Sequence, residues 1–378
     1  MIYLDHAAAT PVSKKTFEAM KPYFLDDFFN PSAAYLPAKK VAHDYDETKA
    51  SIAHAIGAKE NDIVITAGAT EANNLAFTAI SDNAKVLYLK TEHDSVRNPA
   101  NRFDFEEIEV DKNGRIILDD LKNKISDNTE LISVALANNE LGTIQPLAEI
   151  AAIIREVRME RLKNNNPHKL LLHSDASQAM NLLDINVARL GVDLLTLNAA
   201  KVYGPKGVGA LYVAHDVRLK PLTLGGGQEN GLRSGTQNVP GVIGFAAALT
   251  HAKEHINGNR KKYAALRKIL LDEIKDYELI NKKYSLDNFV VLCFDGLDAE
   301  RLIYLLEEHG VYVSTGAACA ASKGVRSHVL TAIGLTDSQI AGSLRISLGE
   351  TNTEEQIHEA ARIINEVVAM EKERINRG

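Results

Sequence analysis

Lys201 stands among small residues, in Leu197-Asn198-Ala199-Ala200-Lys201-Val202-Tyr203-Gly204-Pro205, just past an apolar run that reads as a strand. A lysine so placed can be partly desolvated, and burial of that kind would lower its pKa and suit attack on a carbonyl carbon. The competing reading is a surface lysine in a glycine-rich turn. His173-Ser174-Asp175-Ala176-Ser177-Gln178 puts an acid after another apolar run. A carboxylate there needs a cationic or hydrogen-bonding partner, such as a protonated ring nitrogen, or it caps the next helix. Gly68-Ala69-Thr70 follows a strand and opens a helix. It is either a phosphate cup, using the partnerless first-turn N–H groups, or a plain turn with Thr70 as N-cap. Gly225-Gly226-Gly227-Gln228 and Gly231–Thr236 form a donor-rich stretch that can approach a ligand closely or serve as a flexible loop.

The two cysteines differ in setting. Cys319 lies in the small-residue loop Ser314–Gly324, which suits a thiol that travels between two positions. Cys293 sits inside the apolar run Asn288–Phe294 and reads as core. No Walker A, CxxC or HExxH pattern occurs. His251 and His255 are four apart on a helix and could share a metal. With no third ligand nearby in sequence they read as a solvated helix face, and no metal site is expected.

The elements that must position these groups alternate. Ile63–Thr66, Lys85–Leu89, Leu131–Leu136, Lys169–His173, Asp193–Leu197 and Gly209–Val213 read as strands, with helical text between them. Such alternation predicts an α/β chain with a mostly parallel sheet and its site in the loops beyond the strand ends. A helix is expected from Val41 to Gly57, another from Leu147 to Arg161, and a long one from Val239 to Ile274. Beyond a boundary near 250, the strand Asn288–Phe294, the helix Ala299–Glu308, the strand Leu344–Ser347 and the helix Thr353–Arg374 suggest a smaller α+β domain. The polar stretch Arg158–Pro167 reads as a protruding loop. The 378 residues carry a net charge of -7 without a basic cluster, which disfavours direct nucleic-acid binding. No apolar run has the length of a membrane span, and the first residues lack the blocks of a signal peptide. A soluble, cytoplasmic protein with reduced thiols is expected.

Taken in order, these stretches resemble the cysteine desulfurases of the fold-type I, class V aminotransferase superfamily. The resemblance runs over nearly the whole chain. It rests on Tyr3-Leu4-Asp5-His6-Ala7-Ala8-Ala9-Thr10-Pro11, Asn30-Pro31-Ser32, Thr66–Leu75, Thr91-Glu92-His93 and Asn138-Asn139-Glu140-Leu141-Gly142. It continues through Asp175–Gln178, Lys201–Gly207, Arg233–Thr236, Ser314–Cys319 and Ser343–Gly349. It implies a large domain, residues 13–249, on a mostly parallel seven-stranded sheet. A small α+β domain, residues 1–12 and 250–378, would carry the cysteine loop. The spacing after Cys319 resembles the long-loop subgroup that serves iron–sulfur cluster assembly.

The resemblance implies pyridoxal 5'-phosphate held by Lys201, with Asp175 on its pyridine nitrogen, Gln178 on its ring hydroxyl and His93 stacked on its ring. Ala69, Thr70, Asn198 and, from a second subunit, Thr236 would hold the phosphate. Asn139 and Arg345 would hold the substrate carboxylate, which an arginine fork binds bidentately. Cys319 would receive sulfur from L-cysteine and alanine would leave. A homodimer and a sulfur-acceptor protein, an iron–sulfur scaffold or a tRNA-thiolation protein, are the implied partners. The chain departs from the family pattern at Asn198 and Ala200, where Ser and His are usual, and at Ala9, Ala33 and Tyr35. The rival readings are a selenocysteine lyase or another class V aminotransferase-like enzyme, and a non-catalytic partner on the same fold.

Overall fold

A two-residue strand, β1 (Ile2–Tyr3), opens the computed structural model, which describes residues 1–315 and 326–377. The apolar runs that follow become β2 (Ile63–Thr66), β3 (Lys85–Leu89), β5 (Thr129–Ser133), β6 (Leu171–Asp175), β7 (Leu194–Asn198) and β8 (Gly209–Val213), with β4 (Asp104–Ile108) between β3 and β5. Together they make one seven-stranded sheet in the order β2-β8-β7-β6-β5-β3-β4. Every neighbouring pair is parallel except those of β8, which runs antiparallel to both β2 and β7. Alternate residues face two separate cores. Leu87 and Leu89 enter one, while Val86 and Tyr88 enter the other. Helices cover both faces, so the strands read as unbroken apolar runs rather than as apolar–polar alternation.

Strand β4 was not among the runs picked from the sequence. Asp104, Phe105 and Glu106 are exposed on it. As the last strand it presents acids at the sheet edge, a composition that blocks pairing with other chains and hides the strand from a hydrophobicity reading. Strands β6 and β7 also run further than expected. Asp175 and Asn198 are therefore the last residues of their strands, at the carboxyl edge of the sheet. The stretch expected to protrude at Arg158–Pro167 is instead helical as far as Lys163. Arg158 donates to Leu170 O and to the Asp193 carboxylate, and the buried Arg161 donates to Ser126 O, His168 O and Lys169 O. These bonds draw the helix end down onto the sheet.

The C-terminal part adds β9 (Glu278–Leu279), β10 (Phe289–Cys293), β11 (Val311–Tyr312), β12 (Ser314–Thr315) and β13 (Ser343–Ser347). Four of them form an antiparallel sheet in the order β12-β13-β10-β9. The N-terminal strand β1 pairs in parallel with β11, and Asp5 bridges to Ser347. The first ten residues thus run beside the C-terminal strands and lie at the mouth of the large sheet. A 35-residue helix, Val239–Glu273, packs against the helices Lys14–Met20, Leu36–Ala55 and Glu354–Arg377. No helix among the described residues is long and apolar enough to cross a membrane. Cys319 and most of its small-residue loop lie outside the described residues.

Candidate active site

One cavity of about 340 Å³ opens at the carboxyl edge of the large sheet. It brings together Ala69, Thr70, His93, Asn139, Asp175, Gln178, Asn198, Lys201 and Arg345. Residues far apart in sequence therefore converge, because β6 and β7 end there and the N-terminal segment and β13 close the other side. Of the other sequence candidates, Thr236 is exposed and outside this cavity, and Cys319 is not described.

The turn after β2 does not use Thr70 as an N-cap. The N-cap of the helix Ala69–Ala76 is Gly68, at φ 144°. Thr70 is therefore inside the first turn and faces the cavity rather than capping the helix. Strand β8 packs directly on this turn. A Cβ at Gly209 would lie 2.8 Å from the Gly68 backbone and 2.7 Å from Leu197 O, so only glycine fits there.

Asp175 caps no helix, because turns rather than a helix follow β6. Its Oδ1 accepts from Ser177 N at 2.9 Å, a local turn contact, and its Oδ2 accepts from Asn73 Nδ2 at 2.9 Å. Asn73, wholly buried, also donates to Ser95 Oγ. Ser95 N in turn donates to His93 Nδ1 at 3.1 Å, so His93 caps the helix Asp94–Ala100. That bond uses the Nδ1 lone pair and leaves Nε2 for a ligand.

Lys201 ends a short 3₁₀ turn capped by Asn198, whose Oδ1 accepts from Ala200 N. Its Nζ donates to Ala7 O at 2.8 Å and to Ala8 O at 2.5 Å, and Gln178 Nε2 donates to the same Ala7 O. The N-terminal motif thereby sets the position of the amine. Ala200 is not on the cavity wall. Arg345, almost fully buried on β13, donates from Nη1 to Asn139 O at 2.9 Å and from Nη2 to Asp5 Oδ1 at 2.7 Å. Two acceptors fix the plane of the guanidinium, and its other N–H groups are left to bind a carboxylate.

Several wall residues were not singled out from the sequence. Glu92 is 1% exposed, and its Oε1 accepts from Ala135 N at 2.5 Å. Its Oε2 and Ser177 Oγ are buried with no partner among the described residues. Burial pushes the Glu92 carboxyl up to about 8, helped by the charge of Asp175. Glu140, beside Arg345, is pushed up to about 7 by burial even though Ser327 Oγ donates to it. The motif text around His93 and Asn139 contained both glutamates, but nothing in it told how deeply they are buried.

A buried, neutral Glu92 makes stability depend on pH. Folding raises the carboxyl from 4.5 to about 8, so between these values the native chain holds a proton that the unfolded chain has released. Stability from this group is complete below pH 4.5, falls as pH rises toward 8, and is level above that. Glu92→Gln, which never ionises, is expected to flatten that fall and to raise Tm at pH 8 relative to the unsubstituted protein. Thermal unfolding from pH 5 to 9 checks it. Parallel Tm curves for the two proteins would show that Glu92 ionises normally.

The profile of the aminotransferase class-V family matches residues 2–359. The protein named putative cysteine desulfurase IscS 1 from Bacillus subtilis (strain 168) is 38% identical, over 97% of this chain and 98% of that one. A solved structure titled as a NifS-like protein superposes with a TM-score of 0.89 at 30% identity, covering 98% of this chain and 99% of the other. Another, titled SspA in complex with cysteine, has a TM-score of 0.79 at 33% identity over 92% and 99% of the two chains. Enzymes of this family depend on pyridoxal phosphate, and these solved structures share the fold over nearly their full length. This chain belongs to the aminotransferase class-V family, among its cysteine desulfurases.

Proposed function

We propose that the chain removes sulfur from L-cysteine, releasing L-alanine and leaving a persulfide on Cys319 for an acceptor protein. The observation that carries this reading is the convergence on one cavity of an amine, a carboxylate, a helix start and a buried arginine: Lys201, Asp175, Ala69–Thr70 and Arg345. The same set fits pyridoxal 5'-phosphate. Lys201 would hold its carbonyl carbon, Asp175 its pyridine nitrogen, Gln178 its ring hydroxyl and His93 its ring face. Ala69, Thr70 and Asn198 would hold its phosphate, and Ser177 Oγ and Glu92 Oε2 are further polar atoms awaiting a partner. When bound, this cofactor supplies an electron sink for the pair freed at the substrate α-carbon.

The protein's own part follows from its groups. Arg345 and Asn139 orient the substrate carboxylate. The Lys201 amine takes the α-proton. The Cys319 thiolate attacks the substrate sulfur, forming a sulfur–sulfur bond as the bond from sulfur to the β-carbon breaks. The electron pair of that bond goes to the β-carbon, which gains a proton and becomes the methyl group of alanine, while the α-carbon regains a proton from Lys201. We assign residues 13–249 to the cofactor-binding domain and residues 1–12 and 250–378 to the domain carrying the cysteine. A reducing cytoplasmic setting keeps both thiols available. The direct test measures alanine and sulfide from L-cysteine with a thiol reductant, and equal amounts of each are expected. Cofactor-loaded protein that binds cysteine yet forms no alanine would refute the reading.

We also infer a homodimer. Phe17, Phe24, Leu25, Phe28, Tyr35 and Leu36 are between 53% and 79% exposed within one short stretch, and Leu224 is 81% exposed near the exposed Thr236. Apolar surface of this kind favours burial against a partner. A second copy covering it would also bring Thr236 to the neighbouring phosphate site. Sedimentation is expected to give twice 41.3 kDa. An active, cofactor-loaded monomer would contradict this.

A further inference from the structure

We propose that His251, Glu254 and His255 form a binding site for one divalent transition-metal ion of the zinc class. The three lie on one face of the helix Val239–Glu273, at positions i, i+3 and i+4. Glu254 stands directly before His255 in the sequence, at helical spacing from His251. In the fold one nitrogen or carboxylate oxygen from each of the three lies within 4.8 Å of the others. A tetrahedral ion with bonds of about 2.0–2.2 Å needs its ligand atoms somewhat closer than that. Glu254 and His255 are exposed, so rotation of their side chains closes the gap without moving the backbone.

Two further observations concern the rings. His255 Nδ1 lies 2.8 Å from His251 O. A carbonyl only accepts, so Nδ1 carries the proton and the lone pair is on Nε2. A ring N–H bonded to a backbone carbonyl is the usual support of a metal-ligating histidine. His251 Nδ1 is buried with no partner among the described residues, and the two rings are 4.1 Å apart at 37°. Lys15 on the facing helix repels a cation, and the Glu254 carboxylate offsets that charge.

Two imidazoles with one carboxylate suit zinc, copper or nickel, while magnesium and calcium ask for mostly oxygen ligands. Three protein ligands leave one tetrahedral position for water or for a group from another molecule. None of the three residues is on the wall of the Lys201 cavity, so alanine release is expected not to need the ion.

Equilibrium dialysis of the cofactor-loaded protein against zinc ions tests this. A cysteine thiol elsewhere can also bind zinc, so the readout is a difference between variants. The His251→Ala/His255→Ala protein is expected to hold one zinc fewer per chain. Glu254→Gln is expected to keep the site with affinity at least roughly tenfold weaker. Cobalt in place of zinc should give a visible spectrum that the double variant lacks, and magnesium should not compete. Alanine release without added metal should be unchanged in both variants. Equal zinc content in the unsubstituted and doubly substituted proteins would overturn the proposal, as would displacement by magnesium.

Discussion

Lys201→Ala is expected to leave a folded protein that keeps no covalently held cofactor and releases alanine at least about 10³-fold more slowly. Lys201 is the one lysine on the cavity wall among the described residues. The expected loss is chemical rather than structural. The two bonds from Nζ to Ala7 O and Ala8 O contribute about 1 kcal/mol each, against a total stability several times larger. Lys206 provides the matched control. Its Nζ donates to Thr10 O at 2.8 Å, so it ties down the same N-terminal segment from outside the cavity. Lys206→Ala should therefore share any loosening of that segment and retain turnover. Borohydride reduction of the cofactor-loaded protein followed by peptide mapping should place the label on Lys201. Label on Lys206, or turnover in Lys201→Ala within tenfold of the starting protein, would reassign the reactive amine.

What the sequence reveals about this site depends on whether a residue's role is local. Lys201, Asp175 and the Gly68–Thr70 turn follow apolar runs, and a strand end is visible in a single stretch of text. Their partners are not visible in that way. Asn73 reaches Asp175 across 102 positions, and Arg345 reaches Asp5 across 340, so neither bond leaves a mark in the neighbouring residues. Glu92 and Glu140 sit inside recognisable motifs, yet burial turns them from ordinary acids into groups that titrate near neutrality. The same limit appears in the elements. The runs Ile63–Thr66 and Lys85–Leu89 are apolar because both faces are covered, and they fall where expected. The sequence Asp104-Phe105-Glu106-Glu107-Ile108 is a strand because β3 offers it an edge. Strand β6 continues through His173 and Ser174 because the fold buries both completely, with His173 neutral between Ser133 and Thr196.

Cys319→Ala is expected to abolish sulfur transfer while cysteine still binds, whereas Cys293→Ala is expected to lose little activity. The contrast follows from where each thiol sits. Cys293 is 1% exposed in the middle of the C-terminal sheet, and its S–H faces Gln339 O at 3.4 Å. Burial pushes the thiol up to about 11, which leaves about one part in ten thousand as thiolate at pH 7. Such a group is neither nucleophilic nor reachable by substrate. Its truncation removes one buried sulfur and costs on the order of 1–2 kcal/mol through a small cavity. Cys319 stands in a glycine- and alanine-rich stretch of sequence that lacks the apolar run around Cys293. Its thiol acts after the substrate is held, so the cofactor absorbance and its change on adding cysteine should survive the substitution. Sulfur-35 from labelled cysteine should appear on the peptide containing Cys319 and be released by reductant. Equal losses in the two variants, or label on the Cys293 peptide, would place the sulfur chemistry elsewhere.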